Sequence, residues 1–323
     1  MITYKIYNDN LDEWDDFIDI SINGTVFQKQ KFLQYHINRK FINHSLMFYK
    51  KNVLIAVFAA SAIDNTLFSH PGASFGGIVY LKTSLSDLIE ILDLIENYAR
   101  KNNFDNIRII PTPFTYNNND ESLLYALKWR GFEEKEQYYS SIIPIKNNIH
   151  QQLEDIIRNK SRSKKYYDNI INENNLELVW VDNFDKFYPI LENNKKKYGA
   201  KPTHSLDELN EIQNLMPDMI KLLVVKKNGV EIGGNMIFIA KPNIGIIFYN
   251  MINYEFSDMQ ISTIQILESI RWAQEHNIKF LDFGVSHEFG AEHPLTPKIS
   301  LIKFKEEFGG IGSLRLVLNK LLK

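Results

Sequence analysis

Acid–base chemistry needs a carboxylate, an amine or an imidazole, and the last third of the chain holds them close together. Asp282 stands in the apolar run Phe280-Leu281-Asp282-Phe283-Gly284-Val285, toward its C-terminal half, and His287 and Glu288 follow just past its end. A carboxylate there can accept a proton or hold an amine, and an imidazole titrates near neutral pH. Upstream, Arg162 and Tyr166 are four apart, a spacing that sets a guanidinium and a phenol on one helical face toward one ligand. Lys160, Lys164 and Lys165 add local positive charge suited to a pyrophosphate, although a solvated basic helix reads the same way. His70, Ser74 and Phe75 belong to the Gly-rich loop His70 to Gly77, where they could meet a substrate while the glycines permit close backbone approach. No metal site is expected, because His287, Glu288 and His293 lack the helical spacing of a zinc motif. A nucleophile elbow and a phosphate-binding Walker loop are missing too.

These residues need elements to hold them. From Gly245 the sequence gives an apolar strand to Met251, a polar loop, a helix with Ile261, Ile264, Leu267, Ile270 and Ala273 at three- and four-residue spacing, and a strand from Phe280 to Val285. Strand, helix and strand on short connections predict a crossover between two parallel strands. The free N–H groups at the start of that helix, from Met259 through Gln260, Ile261, Ser262 and Thr263, make an anion site; capping by Ser262 or Thr263 alone is the competing reading. Earlier, Ser45–Tyr49 and Val53–Ser61 predict a hairpin, followed by strands near 78–80 and 106–110, a helix from Ser84, and a last strand over 138–145. The second half begins with a basic helix over 160–171, and a hairpin turns at Asn228-Gly229. After Gly312 a basic amphipathic helix is expected to Lys323. A duplicated mixed α/β fold follows, with domains 1–147 and 148–323.

Composition narrows the function. With 323 residues and 44% hydrophobic content the chain can bury two cores. A net charge of −2 supplies no global attraction to nucleic acid or an anionic membrane. The absence of cysteine excludes a disulfide framework and a thiol nucleophile. No run is long enough to span a bilayer and none has signal-peptide character, so stable membrane insertion is not expected and a cytoplasmic location is.

The element order, with Gly24-Thr25-Val26-Phe27-Gln28, the Gly76-Gly77 loop, Leu281-Asp282-Phe283-Gly284 and Phe304-Lys305-x-x-Phe308-Gly309, resembles the GNAT acyltransferase fold. Two such halves resemble its FemAB-like branch, and within it the N-acyltransferases of nucleotide-linked amino sugars. The resemblance implies two tandem GNAT-like domains, each a mixed central sheet flanked by helices. The second domain would bind acyl-coenzyme A and carry the chemistry; the first would help hold the acceptor between the halves.

Residue by residue, the resemblance implies a splayed strand over 248–252, with a backbone N–H near Asn250 or Met251 as oxyanion donor and pyrophosphate amides over 259–263. Where the family is rich in glycine this chain has Gln260 and Ser262. Asp282 and His287 are the candidate bases, and Tyr249 a candidate for protonating the leaving group, with a core-facing ring as the alternative. Lys305 matches a lysine implicated in the family's acyl-transfer site. Arg162 and Tyr166 match acceptor contacts. His36 falls where peptidoglycan enzymes of the branch tend to have lysine, which implies a different acceptor. The expected substrates are acyl-coenzyme A and a nucleotide-linked amino-deoxysugar of surface-polysaccharide synthesis. The alternatives are an aminoacyl-tRNA-dependent peptidoglycan transferase and a non-catalytic binding protein.

Overall fold

The structure, a computed structural model, describes residues 1–37, 39–197, 199–288, 290–293 and 295–322. The chain forms two compact units, Met1–Tyr138 with Ser313–Lys323, and Tyr139–Gly312.

The first unit runs β1 (Ile2–Ile6), α1 (Leu11–Ile20), α2 (Gln30–Leu33), β2 (Ile42–Asn43), β3 (Leu46–Lys50), β4 (Val53–Phe58), β5 (Ser61–Ile63), β6 (Thr66–Ser69), β7 (Ile78–Tyr80), α3 (Leu85–Lys101), β8 (Asn106–Ile109), α4 (Ser122–Trp129) and the start of β9 (Glu133–Pro144). The order β1-β3-β4-β7 makes one sheet. The predicted hairpin is β3 and β4, turned at Lys51 and Asn52, both in the left-handed region. Ser84 caps α3 by accepting the Asp87 N–H at 3.2 Å. The apolar stripe of α3, Leu88, Ile91, Leu92 and Ile95, is fully buried against Leu46, Phe48, Phe58 and Ile107. Burying each such side chain contributes about 1.5–3 kcal/mol, so this stripe fixes the helix on its sheet.

The second unit follows with α5 (Ile149–Asn159), α6 (Lys164–Glu173), β10 (Leu176–Val181), α7 (Tyr188–Lys196), α8 (Leu206–Leu215), β11 (Ile220–Lys227), β12 (Val230–Lys241), β13 (Ile244–Ile252), α9 (Ile261–Glu275), β14 (Phe280–Val285) and α10 (Ile299–Glu306), and β15 (Ile311–Leu321) ends the chain. Its sheet order is β10-β11-β12-β13-β14-β9. The crossover is as predicted: β13 and β14 are parallel, joined by α9. Against the expected boundary near 147, residues 139–144 sit with this unit because the C-terminal half of β9 pairs with β14.

Two local expectations are corrected. The basic helix expected over 160–171 begins only at Lys164: Ser161 turns at φ +53°, and Ser163 then caps α6 by accepting the Tyr166 N–H at 3.3 Å. The segment expected as a C-terminal helix is strand β15, antiparallel to β8, with Leu316, Val317 and Leu318 buried in succession; a strand covered on both faces carries no period of two. Its last expected residue, Lys323, lies outside the described residues. Residues 2–6, not assigned by pattern, pair antiparallel with β3.

Candidate active site

The backbone of β13 sets the scene. It pairs with β14 only over Ile244–Ile246, opposite Phe280–Asp282, although it continues to Ile252. Among the described residues no strand pairs with that edge beyond Ile246. The Asn253 N–H donates to Ile232 O on the other side, at 2.7 Å, so strand alternation turns the Asn250 N–H to the unpaired edge. An open parallel edge of this kind presents backbone donors to an extended ligand. Beyond the strand, Gln260 enters α9 at φ +53° without a side-chain cap. The N–H groups of Thr263 and Ile264 turn back to Gln260 O, and Ile261 is fully buried, so of the amides expected to meet a pyrophosphate over 259–263 those of Ile261 and Thr263 are turned inward and Ser262 is the half-buried residue at the start of the helix. Left-handed backbone at a non-glycine residue costs energy. Gln260→Gly is therefore expected to keep stability within about 1 kcal/mol of the parent, while lowering the KM for an anionic donor; thermal melting and donor titration check both.

Asn250 is placed by its side chain. Its Oδ1 accepts from Gln265 Nε2, its Nδ2 donates to Ser262 Oγ at 3.4 Å, and Gln265 Nε2 also donates to Met251 O at 3.2 Å. Ser262 thus meets Asn250, while Ile261 and Thr263 are buried. Gln265 was not anticipated. Its signal was present as a polar residue on the apolar face of α9.

Two motifs meet at the end of β14. Asp282 is fully buried, and its Oδ1 accepts from Ser140 Oγ at 2.8 Å and from Gly284 N–H at 2.6 Å. Gly284 sits at φ +70°, a conformation that favours glycine. From the other side Lys305, 5% exposed, donates to Gly284 O at 2.8 Å, Val285 O at 3.2 Å and Ser286 Oγ at 2.7 Å. A carboxylate and an ammonium thereby hold one bend of chain, each satisfying backbone groups that burial would otherwise strand. Lys305 is not on a solvated helix face. Gly309, at φ +80°, ends α10 just after the lysine.

The remaining candidates lie elsewhere in this unit. Tyr249 is buried, its hydroxyl accepting from Thr203 N–H at 3.1 Å and meeting His204 Nδ1 at 3.2 Å, and burial pushes it up to about 12. Its ring belongs to the core. His287 is exposed and forms an isolated bridge with Pro297, while neighbouring Glu288 pairs with Lys298 at 3.2 Å. Arg162 precedes the cap of α6 and is not on the helix, yet its guanidinium lies 5.0 Å from the centre of the Tyr166 ring, so the two do come together. Lys160 is committed to Glu307 and to the Phe308 ring at 4.5 Å. Among the described residues no cluster of three or more metal-ligating side chains occurs.

The first unit also joins two motifs. Buried Gln28 accepts the Thr25 N–H at 2.8 Å and donates to Gly76 O at 3.1 Å. A Cβ on Gly76 would lie 1.9 Å from Ser69 O, so no other residue fits. His36 and His70 both grip Gly72: His36 Nε2 donates to its carbonyl at 2.9 Å, and His70 Nδ1 accepts its N–H at 3.2 Å. Phe75 is fully buried between Phe27 and Tyr116, under the Arg315 guanidinium, and offers no face to a ligand; Ser74 is half-buried.

With this geometry in hand, known structures can be set beside it. That of FemX matches 98% of this chain and 97% of its own, with a TM-score of 0.73 and 14% identity. L-PGS from Bacillus licheniformis matches over 90% of each chain (TM-score 0.55, 9% identity), and a tandem GNAT protein from the clavulanic acid biosynthesis pathway over 100% of this chain and 99% of its own (0.53, 8%). The chain has a tandem GNAT fold. Neither a family model nor a curated protein matches it. Among the described residues no helix is long and apolar enough to cross a membrane.

Proposed function

We propose that the chain is a FemAB-type transferase that passes an activated acyl group, an aminoacyl group foremost, to an amine of a cell-envelope precursor. The observation that carries the reaction type is the unpaired edge of β13 beside the N-terminus of α9. Attack of a neutral amine on an acyl carbon builds negative charge on the carbonyl oxygen, and a fixed backbone N–H stabilises it without reorganising. The Asn250 N–H is the donor suited to that task. Asp282 and Lys305 act through the backbone they hold and are positioning residues. His287, exposed just past the end of β14, is the remaining candidate base of the sequence reading. The aminoacyl donor is favoured by the likeness to FemX over nearly the full length of both chains.

A second reading keeps acyl-coenzyme A as donor and a nucleotide-linked amino sugar as acceptor. The specific observation in its favour is the N-terminus of α9 at Gln260–Ser262, which suits a pyrophosphate. Isothermal titration with coenzyme A, acetyl-coenzyme A and dTDP, together with a transfer assay from aminoacyl-tRNA, separates the two. Coenzyme A and dTDP binding favours the second reading, aminoacyl transfer the first, and inertness toward every donor removes both.

For either acceptor, Arg162→Ala is expected to raise the acceptor KM about tenfold or more, the value of a charge-assisted contact, and to leave the donor KM unchanged. Arg162 is exposed, so stability should move by less than about 0.5 kcal/mol. Equal effects on both substrates would remove its assigned role.

A further inference from the structure

A second cavity, of about 530 Å³, opens in the second unit between α5, α6 and α9. Ile264, Leu267, Glu268, Arg271 and Glu275 line it at three- and four-residue spacing, which is one face of α9. Gln265, which reaches Asn250 and Met251, stands on another face of that helix. On α6 the lining residues Lys164, Asp168 and Ile171 also share a face, with Tyr166 on the opposite one. The cavity is therefore separate from the edge of β13 and from the Arg162–Tyr166 pair. Leu153 and Ile157 of α5, with Ile264 and Leu267, give it an apolar floor. Its volume falls within the range of about 300–1,000 Å³ usual for small-molecule sites.

The charges around that floor are unequal. Glu154, Asp168, Glu268 and Glu275 stand against Lys164 and Arg271, so four carboxylates face two full positive charges, and His150 completes the titratable groups apart from the Tyr167 phenol. The Arg271 guanidinium is committed to Glu268 at 2.7 Å. Glu154, Asp168 and Glu275 make no hydrogen bond or ion pair through their carboxylates among the described residues. Glu268 sits deepest of the four, yet its side chain is 22% exposed and so open to a ligand. Burial raises its carboxyl above the usual range, as expected of a charge held against apolar neighbours.

We infer that this cavity is a binding site for a small organic cation, a primary amine carried on an apolar body. The body covers the four aliphatic side chains of the floor. The ammonium meets the Glu268 carboxylate, which has acceptor sites left beside the Arg271 bond. The surplus negative charge disfavours an organic anion, so neither a phosphate nor a carboxylate is the ligand. The inference goes beyond the proposed transfer reaction and does not rest on it, because binding here is reversible and needs neither donor nor acceptor of that reaction.

Isothermal titration and saturation-transfer NMR of the full chain with 4-phenylbutylamine, 4-phenylbutanol and 4-phenylbutyrate test it. The amine is expected to bind, the alcohol more weakly and the carboxylate not at all. Glu268→Gln should weaken the amine about tenfold or more, the value of a charge-assisted contact, and leave the alcohol as it was. Ile171→Trp, at a half-buried position of the lining, should fill the cavity and abolish binding of both; circular dichroism checks that it folds, and if it does not, Glu268→Gln decides alone. Three results overturn the proposal: no binding of the amine, a carboxylate bound as tightly as the amine, or amine binding unchanged in Glu268→Gln. Amine binding retained in a folded Ile171→Trp would place the ligand elsewhere and overturn it too.

Discussion

Lys305→Met is expected to lower kcat about a hundredfold, the scale of a misplacement near 1 Å, and to destabilise the second unit by on the order of 2–5 kcal/mol. The ammonium serves Gly284 O, Val285 O and Ser286 Oγ, all within 3.2 Å, from a site that is 5% exposed. Methionine fills the volume and removes every donor, so buried acceptors at the end of β14 lose their partner at once. Arginine should not rescue, because a planar fork cannot place three bonds around one nitrogen. The shape of the pH–rate profile is expected to survive in the residual activity, since Lys305 positions the chain and does not itself relay a proton. Lys303→Met, on the exposed side of the same helix, is the control and should be nearly silent. Full activity in Lys305→Met would separate the bend from catalysis, and a shifted profile would make Lys305 a proton carrier.

Much of this arrangement was legible because the decisive signals are local. The crossover from β13 through α9 to β14 follows from periodicity, and the β3–β4 hairpin from its turn residues. The two motifs that meet at Gly284 were both visible as strings. Their meeting was not, because the Ser140–Asp282 and Lys305–Gly284 bonds join residues far apart in sequence and no local pattern encodes the partner. The direction of Tyr249 was undecidable for a similar reason: both faces of a central strand are apolar, and only the loop carrying Thr203 and His204 shows which side takes its hydroxyl. Two errors were local. The run Leu316-Val317-Leu318 is buried throughout as a strand against β8, so its apolar content carries no period that separates strand from helix, and the serines at 161 and 163 mark a turn and a cap where charge suggested one continuous helix. Gln260 shows a further limit, since the chain takes up a left-handed conformation there without glycine.

Acid is expected to destabilise the first unit through His70, and His70→Gln should remove much of that loss. The imidazole is held down to about 3, chiefly by burial and secondarily by His36, against an ordinary value near 6.5. Between those two values the unfolded chain binds a proton that the folded chain does not, so stability rises with pH. The contribution is fully present above about 6.5 and falls by up to about 1.4 kcal/mol for each unit of acidification below it. Geometry gives the cause: His70 Nδ1 accepts the Gly72 N–H at 3.2 Å, and protonation would set a donor against a donor in a site that is 5% exposed. Asp15 pulls the other way. Burial raises its carboxyl above the usual range, so the folded state there gains protons in acid. The net curve of the wild type therefore mixes the two signs, and the difference between wild type and His70→Gln isolates the histidine. Urea unfolding at pH 8, 6 and 5 should show the variant less stable than wild type at pH 8, where it lacks the neutral acceptor, and closing on it as pH falls. Parallel curves would mean that His70 takes up its proton as readily in the folded protein as in the unfolded chain, and burial would then not hold its imidazole down.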